Sequence, residues 1–148
     1  MNKNNQKDVT FYYERAIDKD DLGDLKGAIE DFSKAIEDFS KAIEIDPEDP
    51  INYFNRGNCR LKLDDYISAI EDFSIAIEID PEDPINYSCR GSAKINIEDY
   101  QGAIDDFSKA IHLNSDDSRI YNLRGQAKDG LKDFSGAIKF LVSKYLLT

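Results

Sequence analysis

The chain has 148 residues, 41% hydrophobic and 33% charged, with a formal charge of −11 at pH 7 and a pI near 4.5. That length suits one domain able to bury a core without metals or disulfides. An exterior this acidic repels phosphate backbones and anionic bilayers, which excludes nucleic acid and membrane as expected partners. Cys59 and Cys89 are the only cysteines, and neither a secretory leader nor a long apolar run is present; the expected location is cytoplasmic, with both thiols reduced.

In chain order, residues 1–8 (MNKNNQKD) are polar and read as a flexible tail, because nothing offsets the entropy of ordering them. Apolar residues at three and four spacing then begin at Val9 and mark helices. The string IEDFSKA stands at 29–35 and again at 36–42. Seven residues are nearly two helical turns, with a drift of roughly 20°, so the copy lengthens a helix without scrambling its buried stripe. One continuous helix is expected from about Leu25 to Ile45, about 31 Å long. The second Phe32/Phe39 and Ala35/Ala42 set has two readings: a tolerated duplication, or an added contact surface for a partner or a second copy of the chain.

Further along, IEIDPEDPINY occurs at 43–53 and 77–87, and Gly57, Gly91 and Gly125 recur at the same 34-residue step, each after an arginine. Each unit holds two amphipathic stretches, such as 51–63 and 66–79, around a polar turn at Asp64 and Asp65. In the DPEDP segments, Pro47 and Pro81 stop one helix, Asp49 and Asp83 cap the next, and Pro50 and Pro84 occupy its first position.

A basic ladder climbs the first helices: Arg15, Arg56, Arg90 and Arg124, with Lys19, Arg60, Lys94 and Lys128 four residues on. Asp31 or Asp38, Asp72 and Asp106 stand on the second helices, and the expected arrangement pairs each cation with its aspartate. The alternative is a basic stripe for an acidic ligand. The last unit degenerates to AIKFLVSKYLL and lacks a polar capping helix. Phe140, Leu141, Tyr145, Leu146 and Leu147 therefore become possible oligomer contacts, unless the chain is a fragment of a longer protein.

A 34-residue helical hairpin with these residues resembles the tetratricopeptide repeat (TPR). Tyr53, Gly57, Ala69, Phe73, Ala76 and Pro81 occupy that family's aromatic, small and proline places; so do Tyr87, Gly91, Ala103, Phe107 and Ala110, and then Tyr121, Gly125 and Ala137. The resemblance implies an all-α fold, an α-solenoid of about four helix-turn-helix repeats (about 9–49, 50–83, 84–117 and 118–148) forming a right-handed superhelix as one domain. It also implies a concave groove lined by the first helices: Tyr13, Ile17, Phe54, Asn55, Asn58, Leu61, Ser88, Cys89, Ser92, Asn96, Asn122, Leu123 and Gln126. Some members of the family clamp acidic chaperone tails with cations in that groove. The matching places here hold Phe54, Asn58, Cys89, Arg119 and Leu123, or Tyr13, Ile17, Asn55, Ile85 and Cys89, so that ligand is not expected.

Catalysis finds no constellation. His112 is the sole histidine and falls at a helix C-terminus, Cys59 and Cys89 have no histidine near them in the repeat, and the acidic turns lack the glycine and glutamate of a calcium loop. The expected function is a non-catalytic module, without cofactor or metal, that binds a peptide or protein segment as an adaptor or assembly scaffold. The alternative is a structural homo-oligomerisation module built on the long first-repeat helix and the uncapped C-terminal helix.

Overall fold

A computed structural model describes residues 9–114 and 116–145, except for the side chains of residues 136, 137 and 140–145. The tail expected at 1–8, together with Leu146 and Leu147, lies outside the described residues. Among the described residues there are seven helices and no strand: α1 (Phe11–Asp21), α2 (Leu25–Ile45), α3 (Pro50–Lys62), α4 (Tyr66–Ile79), α5 (Pro84–Asn96), α6 (Tyr100–Leu113) and α7 (Ser118–Tyr145). They form two compact units that divide between Glu82 and Asp83.

Two kinds of aspartate start these helices. Asp24, Asp65 and Asp99 accept hydrogen bonds from the backbone N–H of Gly27, Ser68 and Gly102. Asp49 and Asp83 cap helices whose first residue is proline, accepting from the N–H of Ile51 and Ile85 at 3.0 and 2.9 Å. Each cap satisfies an amide that the helix leaves open. Within a hairpin the chain reverses through one left-handed residue: Gly23 (φ 80°), Asp64 (φ 59°) and Glu98 (φ 62°). Glycine adopts that conformation freely, whereas a side chain there costs about 1–2 kcal/mol.

In the first unit, α1–α2 and α3–α4 are the two hairpins. Helix α2 runs unbroken for 21 residues, against 14 for α4 and for α6, so the seven repeated residues are absorbed as helix. The two copies serve different neighbours. Asp31, from the first copy, binds Arg15 of α1 sixteen residues earlier, at the separation that also joins Arg56 to Asp72. Ser40, from the second copy, accepts from Arg56 Nη1 of α3 at 3.0 Å, and Ser108 and Arg124 repeat that sixteen-residue relation.

Phe32 and Phe39, proposed from sequence as oligomer contacts, are both buried inside this unit. The Tyr13 ring meets both edge-on, at 6.2 and 6.5 Å between centroids, and Ile17, Ile36 and Leu63 pack around them. The expectation of an exposed second aromatic set is corrected: both rings are buried, and Tyr13 of α1 packs against each.

In the second unit, α5–α6 is a hairpin but α7 is not. The fourth repeat, about 118–148, was expected to be a helix pair; instead α7 continues as one helix of 28 residues. Lys132 stands where the left-handed Asp64 and Glu98 stand in the earlier hairpins, and here it is helical. The all-α fold class holds, and the described residues make three closed hairpins followed by one unbroken helix.

Candidate interaction surface

Three of the four basic rungs are neutralised within their own hairpins. Asp31 binds Arg15 through Nε at 2.6 Å and Lys19 at 2.7 Å; Asp72 binds Arg56 and Arg60, both at 2.7 Å; Asp106 binds Arg90 at 2.7 Å and Lys94 at 2.8 Å. Sequence offered Asp31 or Asp38 for the first rung. Asp31 takes it, and Asp38 pairs locally with Lys41. The three aspartates are buried while the cation stems lie between helices, as expected for side chains with an apolar stem and a charged end. The guanidinium groups of Arg56, Arg90 and Arg124 also lie over the rings of Tyr53, Tyr87 and Tyr121 at 5.6–5.7 Å, within cation–π range.

The Arg15 guanidinium, and then Lys19, hold the Asp31 carboxyl well below the usual carboxylate range against the opposing effect of burial. A carboxylate depressed on folding contributes stability that is complete above its unfolded value near 3.8 and fades as pH falls through the folded value. Urea unfolding midpoints should therefore decline below about pH 4, and Asp31→Asn should flatten that acid limb while lowering the midpoint at neutral pH. An unchanged acid limb would rule out this role.

The expected groove residues of the first unit lie on α1 and α3. Tyr13 and Ile17 are half-buried against the core. The Phe54 ring sits 6.1 Å from that of Phe73 and keeps part of its surface open, and Asn55, Asn58 and Leu61 are also half-buried. Asp20 at the end of α1 is bound to Lys62 of α3 at 2.9 Å.

In the second unit, Ser88, Cys89 and Leu123 line one cleft of about 360 Å³ between α5 and α7. Ile85 and Ile120 supply further apolar wall, and Asn114, Asp117 and Arg119 a polar rim. Asp117 accepts from the Arg119 backbone N–H at 2.9 Å and from its guanidinium at 2.8 and 3.0 Å, which aligns the pair along the rim. Ser92, Asn96, Asn122 and Gln126, expected in the groove, lie outside this cleft. Ser92 Oγ donates to the Ser88 carbonyl and Asn96 Nδ2 to that of Ser92, while Asn122 and Gln126 are exposed on α7.

Sequence reasoning missed Asn114 and Asp117 because it searched only the first helices for the groove. The signal was present: the DPEDP connection of the other repeats is replaced at 114–118 by NSDDS, which exchanges both prolines for polar residues.

Both thiols are poor nucleophiles. Burial pushes Cys59 up to about 12 and Cys89 up to about 11, so each is protonated at neutral pH. His112 is exposed in the last turn of α6, where a cation suits the helix dipole. Among the described residues no cluster of His, Cys, Asp or Glu is placed to hold a metal ion, and no helix is long and apolar enough to cross a membrane.

Comparison with known proteins agrees with this architecture. A family model described as Tetratricopeptide repeat matches residues 52–83, and one described as TPR repeat matches residues 21–64. No curated protein matches the sequence. Among solved structures, the first TPR domain of human RPAP3 is 19% identical, with a TM-score of 0.72, covering 86% of this chain and 95% of that one. The second TPR domain of human RPAP3, solved in complex with the HSP70 peptide SGPTIEEVD, is 20% identical, with a TM-score of 0.68 over 84% and 98% of the two chains. The crystal structure of MamA is 28% identical, with a TM-score of 0.68 over 80% of this chain and 69% of that one. The likeness to the tetratricopeptide repeat thus extends by sequence across residues 21–83 and by fold across the larger part that these structures cover.

Proposed function

We propose that the protein is a non-catalytic adaptor or assembly module that holds an extended or helical peptide segment against its first helices. The observation that carries this reading is the cleft in the second unit, where Ile85, Cys89, Ile120 and Leu123 offer apolar wall beside the Asp117–Arg119 pair. A mostly apolar concavity with a few fixed polar groups is the usual form of a ligand site. In the first unit, Phe54 with Asn55 and Asn58 offers the same combination of apolar contact and amide hydrogen bonding.

Relatives of the same fold, such as the second TPR domain of human RPAP3, hold an acidic HSP70 peptide. The ligand class proposed here is different. Six cations of the first helices are already bound to Asp31, Asp72 and Asp106, and the chain carries a charge of −11. A neutral or basic segment with an apolar anchor fits better, in the cytoplasm and with neither nucleic acid nor membrane as partner.

A peptide-array screen followed by fluorescence anisotropy tests this reading. Ile85→Asp or Leu123→Asp is expected to weaken a hit by about tenfold or more, and Phe54→Ala or Asn58→Ala to do so for a ligand held on α3. Hits indifferent to all four changes would remove the surface from consideration. A second reading, homo-oligomerisation, is favoured by one observation: Tyr121, Phe134 and Ile138 stand exposed along the unbroken helix α7.

A further inference from the structure

We propose that the C-terminal half of α7, residues 133–145, is an exchange arm that completes the fourth hairpin on a second copy of the chain. This rests on the oligomerisation reading above and specifies how the copies join.

The closed hairpins show what the arm is for. Gly57 lies under the ring of Phe73 and Gly91 under that of Phe107, so closely that an added Cβ would come within 2.9–3.0 Å of ring carbons. Gly125 holds the same place on α7, and nothing stands within 4 Å of where its Cβ would be. Tyr53 and Tyr87 are 8% exposed, whereas the equivalent Tyr121 is 41% exposed. Phe134 and Ile138 are exposed, while their counterparts Tyr66, Tyr100, Ile70 and Ile104 are partly covered. One face of α7 has lost its cover, and the segment that would supply it extends away along the same helix.

The arm retains the sequence of a second helix. Asp133 and Gly136 repeat the Asp24/Gly27 and Asp99/Gly102 capping pairs, and Leu141 falls sixteen residues after Gly125, as Phe73 does after Gly57. What fails is the turn. Closing it on the same chain would force Lys132 into the left-handed conformation, and α7 keeps it helical instead. Upstream, Gly130 packs against the Tyr100 ring so tightly that a Cβ would meet it at 2.5 Å, which sets the path of the helix on α6. Charge is compatible with the same occupant: residues 133–145 carry two lysines and one aspartate, a net positive arm in a chain of charge −11. Reciprocal exchange covers both open faces and closes as a two-fold dimer.

Cysteine cross-linking tests the proposal. In a Cys59→Ala, Cys89→Ser background, Gly125→Cys and Leu141→Cys are combined and oxidised. Along one straight helix the two sites are about 24 Å apart and cannot bridge. Exchange predicts a covalent dimer that disappears on reduction. An intramolecular disulfide would overturn the proposal in favour of a closed hairpin, and no disulfide would overturn it as well. Sedimentation supplies the second readout. Gly125→Leu fills space that is empty in the single chain and should retain full helicity by circular dichroism while abolishing the dimer. A dimer that survives Gly125→Leu and yields no 125–141 cross-link would leave self-association standing and reject the exchange.

Discussion

Asp72→Ala is expected to lower the unfolding free energy by about 3 kcal/mol, because it strips the shared partner from two cations at once. Asp72 is buried, and its two oxygens serve Arg56 Nε and Nη2 and Arg60 Nη1. Removing the carboxylate leaves both guanidinium groups between helices α3 and α4 with their desolvation uncompensated. Their side chains are 15% and 21% exposed, so water reaches them only in part, and the loss falls near the lower end of the range for broken buried pairs. Arg56 also donates to Ser40 of α2, so the damage should spread to the contact between the first two hairpins. Urea unfolding at neutral pH measures the loss. A double-mutant cycle with Arg56→Ala should be clearly less than additive, since the second deletion removes a charge already orphaned. Additive losses would mean that the two side chains act independently.

Phe73→Ala is expected to cost more, about 3–5 kcal/mol. The ring is fully buried, lies against the backbone of Gly57 and faces Phe54 across 6.1 Å. Gly57 has no side chain with which to fill the void, and α3 cannot approach further without disturbing the Arg56–Asp72 pair. Phe73→Leu should recover much of the loss because it keeps most of the volume. Thermal and denaturant unfolding by circular dichroism would show the order wild type, Phe73→Leu, Phe73→Ala. Equal stability for all three would dismiss the aromatic-on-glycine contact as the element that closes each hairpin.

The helices and their ends were legible because their causes are local. Capping aspartates, proline at the first helical turn and apolar residues at helical spacing act within a few residues. The ion-pair ladder was also legible, since the sixteen residues between cation and aspartate are a constant of the hairpin. Three features were not. Which of Asp31 and Asp38 binds Arg15 depends on the register of α1 against a helix carrying two identical segments, and identical segments cannot be told apart by their own residues. The burial of Phe32 and Phe39 together depends on one ring, Tyr13, reaching both copies across the hairpin. The cleft on α5 and α7 recruits Asn114 and Asp117 from the connection before α7, where both prolines of the DPEDP pattern are replaced.

Residue order alone establishes that this chain makes helical hairpins at a 34-residue period and that its core rests on small residues facing aromatics. Whether a given hairpin closes is a matter of tertiary balance. The packing gained must exceed the cost of one left-handed residue, and a difference of that size is not written in the local pattern. At Asp64 and Glu98 closure prevails; at Lys132 the helix runs on. That single reversal leaves Gly125 and Tyr121 uncovered and turns the last repeat from a lid on its own core into a surface.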